Sequence, residues 1–221
     1  MKPEFIAFDV AGTTVNDDGL VITAFKNAFE KSQPEEWPLK GAEWTQYALD
    51  TMGQSKIEVF THLLGDRKKA HMANLAFEEA YVNAITEYGA NPITGTHELF
   101  EELRSQNIGI VLTTGFSRST LNVLLEELAW EKIIDLSVTP DEAGRGRPNP
   151  DMLNYAAKKF EIKSKENIIV VGDTASDMLA GIAFGSLRVI GVLSGAHKEE
   201  ALLTAGATSV INSVANLSSL I

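Results

Sequence analysis

Cysteine is absent from all 221 residues. That excludes a disulfide framework, a thiolate nucleophile and a cysteine-bound metal. Histidine is scarce, and His71, His97 and His197 share no spacing that suits a metal; all three are expected at the surface. No apolar run is long enough to span a bilayer. Met1-Lys2-Pro3-Glu4 lacks the apolar stretch of a signal peptide, so cytoplasm is the expected compartment. Positive charge is in deficit: 19 Lys and Arg stand against 30 Asp and Glu, a formal charge of −11. Neither a nucleic-acid nor a membrane partner is expected of such a chain. An anionic substrate would need local cations, because the overall field repels it.

What is present alternates. Apolar runs of strand length recur at 5–8, 108–112, 168–171 and 187–193, with weaker ones at 133–138 and 209–211. Helical spacing fills the intervals, as in 119–128, 152–160 and 176–184. The pattern predicts an α/β fold, a Rossmann-like doubly wound parallel sheet. One stretch breaks the alternation. From Leu20 to Tyr88 there is helical spacing and no convincing strand, punctuated by Pro34, Pro38, Gly41 and Gly65. That is too long for a crossover loop. The expected division is an α/β core over 1–15 and 90–221, with a small helical cap domain over 16–89 inserted after the first strand. Gly89-Ala90-Asn91-Pro92 is the expected hinge. An exposed apolar face on the cap would suit a homodimer, although no pattern demands one.

Two strands end in acids. Phe5-Ile6-Ala7-Phe8 runs into Asp9, and Ile169-Val170-Val171-Gly172 runs into Asp173. Open α/β sheets bind ligands at the carboxyl ends of their strands, whereas a lone Asp there more often caps a turn. Two such acids suggest one shared Mg²⁺ site, since Mg²⁺ favours carboxylate oxygen. The Asp9 carboxylate could also attack phosphorus and give an aspartyl-phosphate. Asp177, four residues beyond Asp173, returns to the same helix face and would anchor the site from behind. Thr114-Gly115 follows a strand and offers an O–H and an N–H to phosphate oxygens. Arg147 lies in Gly146-Arg147-Pro148-Asn149-Pro150, where prolines stiffen the chain; it could neutralise Asp9 and bind phosphate. Read alone, that stretch is a solvated loop before a helix.

In this order the motifs resemble those of the haloacid dehalogenase superfamily of Mg²⁺-dependent phosphotransferases, over nearly the whole chain. The resemblance implies Asp9 as nucleophile, with Asp9, the Ala11 carbonyl and Asp173 as metal ligands. It implies Thr114, Gly115 and Arg147 as phosphate binders. Ordinary phosphatases of the superfamily carry a second Asp where this chain has Ala11, which has no proton to give a leaving alcohol. General acid help is typically worth about 10²–10⁴-fold. The branch lacking that acid is the phosphonoacetaldehyde hydrolases, or phosphonatases. The chain resembles them in Asp-Val-Ala-Gly-Thr-Thr at 9–14, in Arg147 where most members have lysine, and in Met52-Gly53-Gln54-Ser55-Lys56.

By that resemblance Lys56 is a cap lysine that forms a Schiff base with the substrate aldehyde, and Gly53 lies in the substrate-binding loop. An unshifted lysine is free amine only about once in 2,500 molecules at pH 7, so the site must lower its pKa; a nearby Mg²⁺ and Arg147 could help by charge repulsion. The chain departs from the branch at three places. Val59 stands for a histidine, Phe116 for a tyrosine and, approximately, Gly19 for a cysteine. His62 could substitute, but is expected as a solvated helix residue. The expected function is C–P cleavage of phosphonoacetaldehyde or a close analogue. The alternative is hydrolysis of a small phosphate monoester, phosphoglycolate or a sugar phosphate, with Lys56 as a substrate-binding cation.

Overall fold

The computed structural model describes residues 2–221. In chain order the elements are β1 (Phe5–Asp9), α1 (Leu20–Ser32), α2 (Trp37–Asp50), α3 (Lys56–Leu64), α4 (Arg67–Tyr88), α5 (Thr96–Ser105), β2 (Gly109–Thr113), α6 (Arg118–Glu127), β3 (Leu136–Val138), α7 (Pro140–Ala143), α8 (Asp151–Lys159), β4 (Ile169–Gly172), α9 (Ala175–Phe184), β5 (Arg188–Val192), α10 (Glu199–Thr204) and β6 (Ser209–Ile211). Short 3-10 turns cover Lys165–Asn167 and Val214–Leu220. No described helix is long and apolar enough to cross a membrane.

The strands form one parallel sheet in the order β3-β2-β1-β4-β5-β6. Residues of β1 and β4 are buried throughout, as expected of strands covered on both faces. Alternate side chains part to the two sides. Ile6 and Phe8 join a cluster with Phe100, Leu103 and Leu121, while Phe5 and Ala7 join Met152, Ala156 and Phe184. The chain leaves β1 toward β2 and β3, then returns to β4 on the other side. Ligands gather at such a switch point. Register puts Asp9 opposite Thr113 and Phe8 opposite Val171. Asp9, Thr114 and Asp173 therefore emerge side by side.

Helices α1–α4 pack around Phe25, Phe29, Trp44, Phe60 and Phe77, with Phe25–Phe77 and Phe29–Trp44 centroids 4.8 and 4.7 Å apart. Gly65 ends α3 in the left-handed region (φ 62°), and Asp66 caps α4 by accepting from the N–H groups of Lys68 and Lys69. The two chain segments joining these helices to the sheet pair with each other. Asn16 N–H donates to Asn91 O at 2.8 Å, Ile93 N–H donates to Thr14 O at 3.0 Å, and Val15 and Pro92 form an antiparallel bridge.

Candidate active site

Asp9, Arg147, Asp173 and Asp177 are all buried at the carboxyl edge of the sheet. Arg147 stands between two acids: Nη2 lies 2.5 Å from Asp9 Oδ1, and Nη1 pairs with Asp177 Oδ1. The other Asp177 oxygen accepts from Thr174 Oγ1 at 2.5 Å and Thr174 N–H at 3.1 Å, which closes a capping box at the start of α9. Both Asp177 oxygens are thus engaged, so this residue orients Arg147 and the helix. The loop over 144–150 delivers Arg147 inward, where the sequence alone favoured solvent.

Asp173 is held by two distant segments. Thr13 Oγ1 donates to Oδ1 at 2.8 Å and Ala196 N–H donates to Oδ2 at 2.8 Å. A Cβ on Gly12 would lie 2.6 Å from Oδ2, so only glycine lets that turn approach. Burial pushes the Asp173 carboxyl up to about 7. The charge of Asp9 adds to the rise, while Ala196, Thr13 and Arg147 oppose it. Carboxylate oxygens of Asp9, Asp173 and Asp177 lie within 4.8 Å of one another. A hard divalent cation fits this donor set. Of these three acids, Asp9 and Asp173 line one cavity together with Ala11, whereas Asp177 does not.

That cavity has a volume of about 280 Å³, and Asp9, Asp17, Gly53, Lys56, Thr114 and Arg147 line it. The Thr114 hydroxyl accepts from Phe116 N–H at 3.2 Å and keeps its own proton to donate. The resemblance placed Gly53 and Gly115 beside the substrate, and the structure adds a steric reason for each. A Cβ on Gly115 would strike Gln54 O, and one on Gly53 (φ 82°) would strike Thr174 Oγ1. These glycines let the 53–56 loop press against the sheet edge, where Lys56 N–H donates to Gly115 O at 3.4 Å.

Lys56 opens α3, and its side chain is buried. Nζ lies 5.4, 5.8 and 6.0 Å from the ring centroids of Phe116, Phe25 and Phe77. Its pKa falls to about 8. Burial is the leading cause and Arg147 the second, against the pull of Asp9, Asp17 and Asp173. Charge repulsion from Arg147 therefore contributes, behind desolvation.

His62 is exposed, stacked on Tyr47 at 4.5 Å, and does not line the cavity. The expectation that His197 lies at the surface is corrected. It is half-buried, and Nδ1 accepts from Ala175 N–H at 2.9 Å, satisfying a free donor of the α9 N-terminus. Four residues went unnoticed in the sequence. Thr13 grips Asp173, and Ser194 Oγ donates to Gly12 O at 2.8 Å. Asp17 lines the cavity, and its Oδ1 accepts from Val21 N–H at 3.1 Å. Its carboxyl is raised by burial, against Val21 N–H and Lys56. Tyr81 packs against Phe116 with tilted rings 4.5 Å apart, and burial, then Asp17 and Asp9, raise its hydroxyl. Only Asp17 carried a signal: an acid just before a helix.

Fold and site together define a doubly wound α/β protein with an acid-lined pocket at the carboxyl edge of its parallel sheet. The chain belongs to the haloacid dehalogenase-like hydrolase family, whose model matches residues 6–192. It is similar to a phosphonoacetaldehyde hydrolase of Bacillus cereus strain G9842, 31% identical over 217 residues, 90% of this chain and 78% of that protein. A solved hydrolase from Pseudomonas syringae shares the fold with TM-score 0.85 and 24% identity, over 99% of this chain and 97% of that one. A phosphonoacetaldehyde hydrolase like protein from Oleispira antarctica gives TM-score 0.84 and 22% identity, over 100% and 91%.

Proposed function

We propose that this hydrolase is Mg²⁺-dependent and cleaves the C–P bond of phosphonoacetaldehyde or a close analogue, with α1–α4 acting as a cap. One observation carries the reading: a buried lysine of pKa about 8 faces the same cavity as Asp9. About one molecule in ten then holds the free amine at pH 7. The amine adds to the aldehyde carbon and water leaves, giving an iminium. Asp9 Oδ2 attacks phosphorus as the C–P bond breaks, and the bond's electron pair passes into the iminium to form an enamine. No acid is needed at Ala11, because the leaving carbon is stabilised through nitrogen. Water then splits the aspartyl-phosphate into phosphate and Asp9. The enamine takes a proton on carbon, and hydrolysis returns acetaldehyde and Lys56. Arg147 fixes Asp9 Oδ1, which leaves Oδ2 to react, and Thr114 is placed to donate to a phosphonate oxygen. Bound between Asp9 and Asp173, Mg²⁺ would offset the substrate's negative charge.

The rim supports an uncharged carbon half. Asn16, Asp17 and Asp18 line the cavity, and a substrate carboxylate would meet two acids there. The second reading, ester hydrolysis with Lys56 as a cation, draws on the protonated majority of Lys56 at neutral pH. Assay with phosphonoacetaldehyde and phosphoglycolate in Mg²⁺ separates the two. Turnover of the first, a borohydride-trapped adduct on Lys56 and loss of turnover in Asp9→Asn are expected. Turnover of phosphoglycolate alone, with no adduct, would sink the C–P reading.

A further inference from the structure

Glu78 lies on α4, one turn before Tyr81, and is half-buried. Its Oε1 accepts from Asn74 Nδ2 at 3.0 Å. Its Oε2 accepts from the hydroxyls of Ser117, Thr120 at 3.3 Å and Ser119 at 3.4 Å. Ser117 caps α6, so the carboxylate sits on that helix's N-terminus, where negative charge is favoured. Among the described residues, every side-chain hydrogen bond joining α1–α4 to the sheet and its flanking helices ends on Glu78.

The position matters because of its neighbours. Ser117 follows Phe116, whose ring covers Lys56 Nζ. Phe77 precedes Glu78 and faces Phe116 at 6.3 Å, and Tyr81 faces it at 4.5 Å. Phe116 comes from the sheet side, while Phe25 and Phe77 come from the inserted helices. The dry shell around Lys56 therefore closes only while these two parts stay together. Behind the contact lies a second cavity of about 270 Å³, lined by Ser55, Lys56, His71, Asn74, Glu78 and Ser117. Lys56 borders that space together with Phe116 and Glu78, and release of Glu78 would widen the opening between the space and the amine.

We infer that Glu78 is a positioning residue: by gripping the N-terminus of α6, it holds Phe116 over Lys56 and keeps the amine dry. The charged groups sharing a cavity with Lys56 are Asp9, Asp17, Asp18, Asp173 and Arg147 on the main one, with His71, Glu78 and Asp141 on the second. Loss of the grip hydrates the ammonium and stabilises its charged form. This deepens the reading of Lys56 as a nucleophilic amine, yet its test reads the amine itself, so each can fail alone.

The test is competitive acetylation with acetic anhydride across pH, followed at the Lys56 peptide by mass spectrometry. The midpoint of the profile, rather than the rate, reports the amine's pKa. Wild type is expected near 8. Glu78→Ala should move the midpoint up by about one unit or more, toward that of an ordinary lysine. Glu78→Gln keeps an acceptor for Ser117 but loses the charge, and should fall between. Ser117→Ala attacks the grip from the other side and should shift the midpoint in the same direction. If Glu78→Ala does not fold, the other two variants decide. A midpoint unchanged from wild type in the folded variants would overturn the inference.

Discussion

Replacing Arg147 with methionine keeps much of the side-chain length and removes its charge. The Arg147 side chain is 4% exposed and touches both Asp9 and Asp177. Breaking a buried pair of this kind costs about 3–5 kcal/mol, chiefly for the charge left uncompensated. One term opposes it. Arg147 Nε is a buried donor with no acceptor, and removing it recovers on the order of 1 kcal/mol. The net expectation in metal-free protein is a loss of about 3 kcal/mol, or a melting midpoint lower by roughly 6–12 °C for a chain of this size. The loss should depend on pH. Arg147 is one of the groups that pull the raised Asp173 carboxyl back down, so its removal raises Asp173 further. A carboxyl whose folded value exceeds its unfolded one holds its proton more tightly in the folded state. Its favourable contribution is complete at low pH and is lost as pH rises through the folded value. Urea unfolding followed by circular dichroism, near neutral pH and at about pH 4.5, measures this directly. The gap between wild type and variant should be wide at neutral pH and narrow in acid. A variant as stable as wild type at neutral pH, or a gap indifferent to pH, would refute the reasoning.

The pKa of Lys56, lowered to about 8, predicts that imine trapping rises about tenfold per pH unit below that value and flattens above it; a rise continuing unbroken past pH ~10 would contradict the free-amine requirement. Gly115→Ala puts a methyl group against Gln54 O; steady-state kinetics should show KM raised by about tenfold while calorimetry shows unchanged Mg²⁺ affinity, and an unaltered KM would count against the close approach. Asp173→Asn should weaken Mg²⁺ by at least about tenfold in calorimetry; equal affinity would remove Asp173 from the ligands.

The sheet was legible because its strands are covered on both faces. Phe5–Asp9 and Ile169–Gly172 read as unbroken apolar runs that stop at an acid. The weak run at 133–138 shrank to Leu136–Val138, because Ile133 and Ile134 turn back on Trp130 after α6. The helical stretch was legible from its lack of strands. Asp9 and Asp173 stood out through their context, whereas Arg147 needed the fold to show that its loop turns inward. What escaped depends on contacts between remote loops. Thr13 meets Asp173 across 160 residues, and Ser194 meets Gly12 across 182. His197 read as a surface residue because nothing local reveals a helix N-terminus waiting for an acceptor. Glu78 carried no signal in the sequence, since its partners lie at the start of α6.

The paired connections at Val15 and Pro92 carry a mechanical consequence. Two separate tethers would let the inserted helices slide, tilt and twist independently. Joined by a rung, the two are tied to each other at a single place. The rung also lies only six residues beyond Asp9. The stretch that ties the inserted helices to the sheet is therefore the same short stretch of backbone that presents the Asp9 carboxylate, so neither can shift without the other.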